Sequence, residues 1–247
     1  MAESAIATLE CLCVPGINVV EKLKAVDGYY RVVLGAFDVT AANGKHYHAT
    51  EKVKQMFSSG GILNRRMAAG LMKGELDHPN VSGLSFAQAV ARLMKIDPKN
   101  ISHHIKKLEL VPSKDDKGNP IFLVYGWVKP AGPHATHLRD SLNNREENVA
   151  FSVRSLSTPG IYNGKRGSLV DEILTYDNVS EPGIDLATQF RAYDLESISF
   201  GREELEAAYK LANINGLEND AESIRMVKDS LGWQKVQTIK LDNTFYI

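Results

Sequence analysis

The segment from Ile101 to Val128 limits the fold of this chain more than any other. Ile101–Val111 and Ile121–Val128 contain many of the β-branched and aromatic residues that favour strands. The polar residues Lys114–Pro120 lie between them, and their Asp, Gly and Asn are typical of a hairpin turn. Since a hairpin is an antiparallel pair, this segment predicts an antiparallel sheet.

The rest of the chain alternates between strand-like and helix-like patterns. Further strands are predicted across Ile6–Val14, Tyr29–Val39, Val149–Leu156 and Leu169–Val179. Helical spacing of apolar residues predicts helices that open near Thr50 and that cover Leu84–Met94, Pro133–Glu147, Arg202–Ala212 and Asp220–Leu231. Ile62–Lys73 is compatible with a helix, a strand or a loop. These elements predict an α+β fold with an antiparallel β-barrel or sheet core surrounded by helices.

The composition shifts after Pro182 and Gly183, which suggests a domain boundary. Residues 1–183 would form the main domain. Residues 184–247 would form a C-terminal helical extension that closes with a strand within Trp233–Ile247, or would belong to the same domain.

The composition excludes several classes of partner. The chain has 247 residues, of which 43% are hydrophobic and 24% charged, and its net charge is -1. This balance predicts no attraction to nucleic acid or to a membrane surface. No apolar run approaches the roughly 20 residues of a membrane span, and no signal peptide pattern is present. Cys11 and Cys13 lie two apart on a predicted strand, a poor disulfide geometry, so we interpret them as reduced core thiols in a cytosolic compartment.

A histidine and a serine lie in two short segments with complementary chemistry. His78 belongs to Gly74–Pro79 (Gly-Glu-Leu-Asp-His-Pro), where the proline ends any regular element and the imidazole can be presented at a bend. Ser152 lies in the strand-like run Phe151–Ser157. A serine hydroxyl is a weak nucleophile that needs an adjacent base. A surface histidine in a turn and a hydrogen-bonded core serine are the alternative interpretations.

The base of such a pair also needs a third group to orient it and to balance its charge. Asp177 is the candidate, which gives the chain order His, Ser, Asp, although a capping role at a strand end is an alternative. Further rivals for these roles remain. They are Ser155 and Ser157 for the nucleophile, and Glu75, Asp77 and Asp171 for the acid.

Both segments resemble the prohead core proteases of tailed, myovirus-type bacteriophages. Gly74–Pro79 matches the family's histidine motif, Gly-Glu-Leu-Asn/Asp-His-Pro. Phe151–Ser157 is similar to the family's Val-Ser-Ser-Arg-Gly-Leu-Gly strand, although the second serine and both glycines differ. Tyr176–Pro182 looks like a Tyr-Asp-x-Val-x-x-Pro segment of the family. The resemblance covers about the middle two thirds of the chain, and Leu84–Met94 falls between matched segments, as an insertion would.

This resemblance implies a fold related to the herpesvirus assemblins and a serine endopeptidase in which His78, Ser152 and Asp177 are catalytic. Residues 1–183 would be the protease domain. Arg154 would support the oxyanion or act as an ion-pair partner, and His103 would line the cleft. No cofactor is implied.

The resemblance also implies a biological setting. The protease would act in the host bacterial cytoplasm, inside the immature capsid, on scaffold and capsid-associated proteins, and it could form a homo-oligomer. The family cleaves after glutamate, often in itself, and Glu203 and Glu218 fit the preference for a small or aliphatic residue two positions earlier. The linker Asn213–Asn219 would be the accessible place for self-cleavage.

Two other classes of function remain open. The lost glycines near Ser152 would permit an inactive homologue that binds scaffold or acts as a structural capsid component. A metal-dependent hydrolase would use the histidine pairs, although none of them forms a His-Glu-x-x-His signature and no metal site is predicted. The pairs are His46 and His48, His103 and His104, and His134 and His137.

Overall fold

The computed structural model describes residues 7–14, 25–41, 44–115, 117–144, 147, 149–180 and 198–232. Its strands are β1 (Ala7–Val14), β2 (Tyr30–Phe37), β3 (Val39–Thr40), β4 (His46–Tyr47), β5 (Lys73–Glu75), β6 (Ile101–Lys114), β7 (Pro120–Pro130), β8 (Ala150–Tyr162), β9 (Lys165–Val179) and β10 (Ile198–Phe200). Its helices are α1 (Glu51–Phe57), α2 (Ile62–Ala68), α3 (Phe86–Met94), α4 (Ala135–Asn143), α5 (Arg202–Ile214) and α6 (Glu218–Ser230).

The described strands form two sheets rather than one closed barrel. The larger has the order β10-β1-β8-β9-β4-β3, and the smaller has the order β2-β7-β6-β5. Neighbouring strands are antiparallel except for β4 and β9, which pair in parallel. The predicted α+β class with antiparallel sheets and surrounding helices is therefore confirmed, and the predicted hairpin is β6–β7.

The main hydrophobic core lies between the two sheets. Phe151, Val153 and Tyr176 from the larger sheet pack there with Leu34 and Val124 from the smaller one. A second core lies on the opposite face of β8 and β9, where α3, α5 and α6 cover the sheet. The C-terminal helices thus pack onto the sheet formed by the main part of the chain. The domain boundary at residue 183 stays a prediction.

Several element ends differ from the sequence prediction. Ile62–Lys73 divides into α2 and the start of β5. The C-terminal helices are longer than predicted, so only residues 215–217 separate them. The closing strand predicted within Trp233–Ile247 lies outside the described residues. None of the described helices is both long and apolar enough to cross a membrane.

Candidate active site

The long hairpin of β8 and β9 places two of the predicted catalytic residues side by side. Ser152 pairs with Asp177 in the antiparallel register. Directly paired residues point to the same face of a sheet, and so does Arg154, two positions along β8. This face carries Leu156 of the second core, whereas Phe151 and Val153 point into the main core.

β5 brings the histidine to the same place from the other sheet. After β5, the backbone N–H of Asp77 donates to the carbonyl of Asn178 at 2.7 Å, which ties this segment to the end of β9. Asp77 has a left-handed backbone with φ of 57°. Its carboxylate accepts hydrogen bonds from the backbone N–H and the hydroxyl of Ser180. The bend directs His78 towards Asp177, and Nδ1 of the imidazole lies 3.4 Å from Oδ2 of the carboxylate.

Asp177 is held by several donors at once. The Arg154 guanidinium donates from Nε to Oδ2 and from Nη2 to Oδ1, each at 2.9 Å. The backbone N–H of Glu75 donates to Oδ1 at 3.0 Å. Burial raises the pKa of the Asp177 carboxyl, but the Arg154 charge and the contacts with His78 and Glu75 outweigh burial and leave that pKa below its ordinary value. The carboxylate is therefore ionised at neutral pH and suited to orient the imidazole.

The charges continue into a buried network. The Glu75 carboxylate, which is fully buried, accepts from Arg92 of α3 at 3.0 Å and from the backbone N–H of Asp97 at 2.8 Å. Arg154 lies 3.3 Å from the same carboxylate. The positive charges of two arginines are therefore matched by the negative charges of two carboxylates. The contacts among these four side chains join α3, β5, β8 and β9 around the candidate site.

Arg154 itself is 1% exposed. Its Nη1 donates to the carbonyls of Leu93 at 3.3 Å and Lys95 at 3.1 Å, in addition to the carboxylate contacts. Every nitrogen of the guanidinium thus contacts an acceptor. Of the two roles expected from the sequence, these are the contacts of an ion-pair partner.

The hydroxyl of Ser152 is unusual among the groups of the site. It is fully buried, and its Oγ has no hydrogen-bond partner in the described part of the chain. The rivals Ser155 and Ser157 are also buried, but strand alternation turns them to the opposite face from Asp177. Of the three serines, Ser152 is the one that shares a face with Asp177.

The rival carboxylates are engaged elsewhere. Asp171 contacts Lys52 and Thr158, each at 2.7 Å, and lies six residues from Asp177 along β9. Glu75 is committed to the arginines, and Asp77 to Ser180. Asp177 is the carboxylate that the described structure places against His78.

His103 lies beneath the site rather than at a cleft surface. It is fully buried, its ring packs edge-on against Phe151 at 5.3 Å, and its Nδ1 is 2.9 Å from the Ser102 hydroxyl. Burial lowers the pKa of His103 to about 4, so it is neutral at neutral pH. A Cβ on Gly74 would lie 2.3 Å from this ring and 2.1 Å from the Tyr176 carbonyl, so β5 can approach β9 only without a side chain there.

The other histidine pairs differ from one another. His104 contacts Tyr29, while His134 and His137 lie at the start of α4 and within it. His46 and His48 lie close to Asp38, away from the candidate active site. The sequence did not reveal that Asp38 lies with His46 and His48, nor that Arg92 pairs with Glu75, because each grouping joins residues from separate elements.

Comparison with known proteins places this chain among the peptidases. Residues 9–240 match the Peptidase S80 family, and the chain belongs to that family. The capsid maturation protease of Pseudomonas phage phiKZ is 34% identical over 176 residues, which are 69% of this chain and 64% of that protein. The chain therefore matches slightly less than two thirds of that relative. The resemblance to phage prohead proteases drawn from the sequence motifs is confirmed.

A solved structure was also found to be similar. The capsid assembly protease of bacteriophage T4, gp21, aligns with a TM-score of 0.47 and 16% identity, over 71% of this chain and 99% of that one.

Proposed function

We propose that this chain is a serine endopeptidase that acts during assembly of a phage capsid by cleaving scaffold and capsid-associated proteins. Membership of a peptidase family supports the reaction class, and the name of the phiKZ relative supports the setting. The observation that carries the site assignment is the position of Ser152 opposite Asp177, with His78 Nδ1 held 3.4 Å from the same carboxylate.

In the proposed reaction, Ser152 Oγ attacks the peptide carbonyl and His78 accepts its proton. Nδ1 of His78 faces Asp177, which leaves Nε2 as the nitrogen that takes the proton and later gives it to the leaving amine. Asp177 fixes the ring and stabilises the imidazolium, and Arg154 fixes Asp177. Because Ser152 is fully buried, the surrounding segments must move to admit a substrate, as in a protease that stays latent until assembly.

Cleavage after glutamate and self-cleavage belong to the same proposal. Glu203 lies in the first turn of α5, and Glu218 is the first residue of α6; both are exposed. Proteases bind substrates as extended chains, so a helix end must fray before either bond is cut. Intact mass of the active enzyme tests this, and an unchanged mass in a preparation that cleaves added substrate would dismiss self-cleavage.

The main experiment compares wild type with Ser152→Ala and Ser157→Ala. Ser157 is a matched control because its Oγ is also buried on β8 without a hydrogen-bond partner in the described structure. A scaffold-like peptide that contains glutamates serves as substrate, and products are followed by mass. We expect cleavage by wild type and Ser157→Ala, and at least about a 10³-fold loss in Ser152→Ala.

The other outcomes identify the competing functions. Full activity in Ser152→Ala that a chelator abolishes would indicate a metal-dependent hydrolase. A folded wild type that neither cleaves the peptide nor reacts with a fluorophosphonate would indicate either a latent zymogen, whose buried Ser152 is closed to both reagents, or an inactive structural homologue. Only the inactive homologue would overturn the proposal of a capsid protease together with the assigned triad.

A further inference from the structure

We infer that Asp38, His46 and His48 form a binding site for one divalent transition-metal ion, with Zn²⁺ as the best match. The three side chains offer donor atoms that all lie within 4.8 Å of one another. β4 meets β9 at Ser168, nine residues from Asp177 and roughly 30 Å along the strand. The inference is thus independent of the proposed protease function.

Local backbone geometry explains why these three residues converge. His46 and His48 are two apart in extended chain, so both rings point to one side while Tyr47 between them is buried in the main core. Asp38 sits at the bend between β2 and β3 with φ of 59°. Its backbone N–H donates to the Tyr47 carbonyl at 2.7 Å, which fixes the aspartate against the histidine segment.

The groups around the three side chains are arranged as a metal site requires. Nδ1 of His46 lies 3.0 Å from the Thr40 hydroxyl, which orients the ring and leaves Nε2 as its donor atom. Oδ1 of Asp38 accepts from the backbone N–H of Ala49 at 2.9 Å. His48 is 2% exposed, and its Nε2 has no hydrogen-bond partner among the described residues. A Cβ on Gly167 would lie 2.7 Å from that nitrogen, so the glycine makes room for the ring.

Two imidazoles and one carboxylate are ligands that suit Zn²⁺ and neighbouring divalent metals rather than Ca²⁺ or Mg²⁺. The cluster lines a cleft of about 770 Å³, so a fourth position is available to water or to a ligand. Lys165 lines the same cleft, and its positive charge would oppose that of a bound ion. A bound ion would join β4 and the adjacent His48 to Asp38 at the bend after β2.

The test uses the full chain, freed of metal with a chelator and then titrated with Zn²⁺ or with Co²⁺ as a spectroscopic substitute. We expect one equivalent to bind, visible absorption bands from Co²⁺, and a higher Tm with Zn²⁺. Asp38→Asn keeps the Oδ1 acceptor and tolerates the left-handed backbone, yet removes the anionic ligand. Loss of a residue that only orients a ligand costs roughly 10–100-fold in metal affinity. Asp38→Asn and His46→Gln each change a ligand itself and should weaken Zn²⁺ binding more than that. Thr40→Val removes a partner that orients His46 and should weaken binding by about tenfold.

The His134→Ala/His137→Ala variant is the control, since it removes the histidine pair of α4. It should bind Zn²⁺ as wild type does, and circular dichroism verifies that each variant is folded. Unchanged affinity in folded Asp38→Asn and His46→Gln would overturn the inference. So would loss of binding in the control variant, or a wild type that binds no Zn²⁺ at several-fold excess over protein.

Discussion

At the scale of single residues, the Asp177 carboxylate contacts both the imidazole of His78 and the guanidinium of Arg154. One oxygen of its carboxylate contacts both the His78 imidazole and the Arg154 guanidinium, while the other accepts from Arg154 and from the backbone of Glu75. The arginine keeps the carboxylate charged in a fully buried position, which a lone carboxylate would not tolerate. The histidine thereby gains a fixed anionic partner.

Arg154→Met tests how much the guanidinium stabilises the buried carboxylate of Asp177. The loss of the guanidinium leaves a buried carboxylate poorly compensated, so we expect the free energy of unfolding to fall by about 3–5 kcal/mol and the pKa of Asp177 to rise. Urea denaturation measures the change. The double variant Arg154→Met/Asp177→Asn should regain part of the loss because it removes the uncompensated charge, and a double variant no more stable than the single one would refute this account.

His103 should make stability depend on pH. Burial lowers its folded-state pKa from 6.5 to about 4, so the unfolded chain binds a proton in this range that the folded chain does not. The contribution of neutral, buried His103 to the free energy of unfolding is fully present above pH 6.5. It is lost as the pH falls towards 4, and it changes no further below that. The slope is about 1.4 kcal/mol per pH unit, or about 3 kcal/mol in total.

Urea denaturation at several pH values between 6.5 and 4 checks this prediction. His103→Gln should lose that part of the pH dependence. His137→Gln, which replaces an exposed histidine of α4, is the control substitution. An identical slope in wild type and His103→Gln would show that another group is responsible.

The residues of the candidate site were predictable from the sequence to different degrees. His78, Ser152 and Asp177 stand in short strings whose residue types already indicate acid–base chemistry, and the structure brings His78 and Asp177 into contact. The pairing of Glu75 with Arg92 was not predictable, because it forms only when α3 folds against β5. The interpretation of Leu84–Met94 as an insertion concealed this role.

At the scale of elements, β5 depends on the absence of a side chain at Gly74. A Cβ there would lie 2.1 Å from the Tyr176 carbonyl, a backbone atom that cannot move without shifting β9. We expect Gly74→Ala to destabilise the fold by about 3 kcal/mol or more and to displace His78 from Asp177. Thermal unfolding and peptide cleavage measure both effects, with Gly60→Ala as the control because nothing lies within 4 Å of its Cβ position. Wild-type stability in Gly74→Ala would mean that the approach of β5 to β9 is looser than described.

The hairpin of β8 and β9 shows where local sequence patterns fell short. The predicted strand ended at Leu156, whereas β8 continues to Tyr162 through Pro159. A proline removes a ladder donor and normally argues against a strand interior. Here the register with β9 runs unbroken from Thr158 to Gly160, and the described pairing of β8 with β1 ends at Ser157, before the proline. The turn at Asn163 and Gly164, both with positive φ, is the hairpin signal that sequence reasoning missed.

At the scale of the whole molecule, the second core joins the C-terminal helices to the face of the sheet that carries Ser152. Ile224 and Val227 of α6 and Leu205 of α5 are fully buried there. They meet α3, whose Arg92 belongs to the charged network, and Leu156 of β8. The helices after residue 183 therefore stabilise the same region that positions the candidate triad.

This packing predicts that a chain ending at residue 183 will not fold to the stability of the full chain. Truncation removes α5, α6 and β10, and it exposes Val90, Leu93 and Leu156 to water. Because truncation can simply prevent folding, Ile224→Ala provides a graded test. It should cost about 2–5 kcal/mol, whereas the exposed Met226→Ala should stay within about 0.5 kcal/mol of wild type.

Thermal unfolding of the truncated chain, Ile224→Ala and Met226→Ala, each compared with the full wild-type chain, decides whether the C-terminal segment is a separate unit. A truncated chain with the Tm of the full chain would establish residues 1–183 as an independent domain. A lower Tm in both the truncated chain and Ile224→Ala would instead make α6 part of the protease core. In that case a cut after Glu203 or Glu218 would loosen the support of Arg92 and Arg154, so self-cleavage would limit how long the protease stays active.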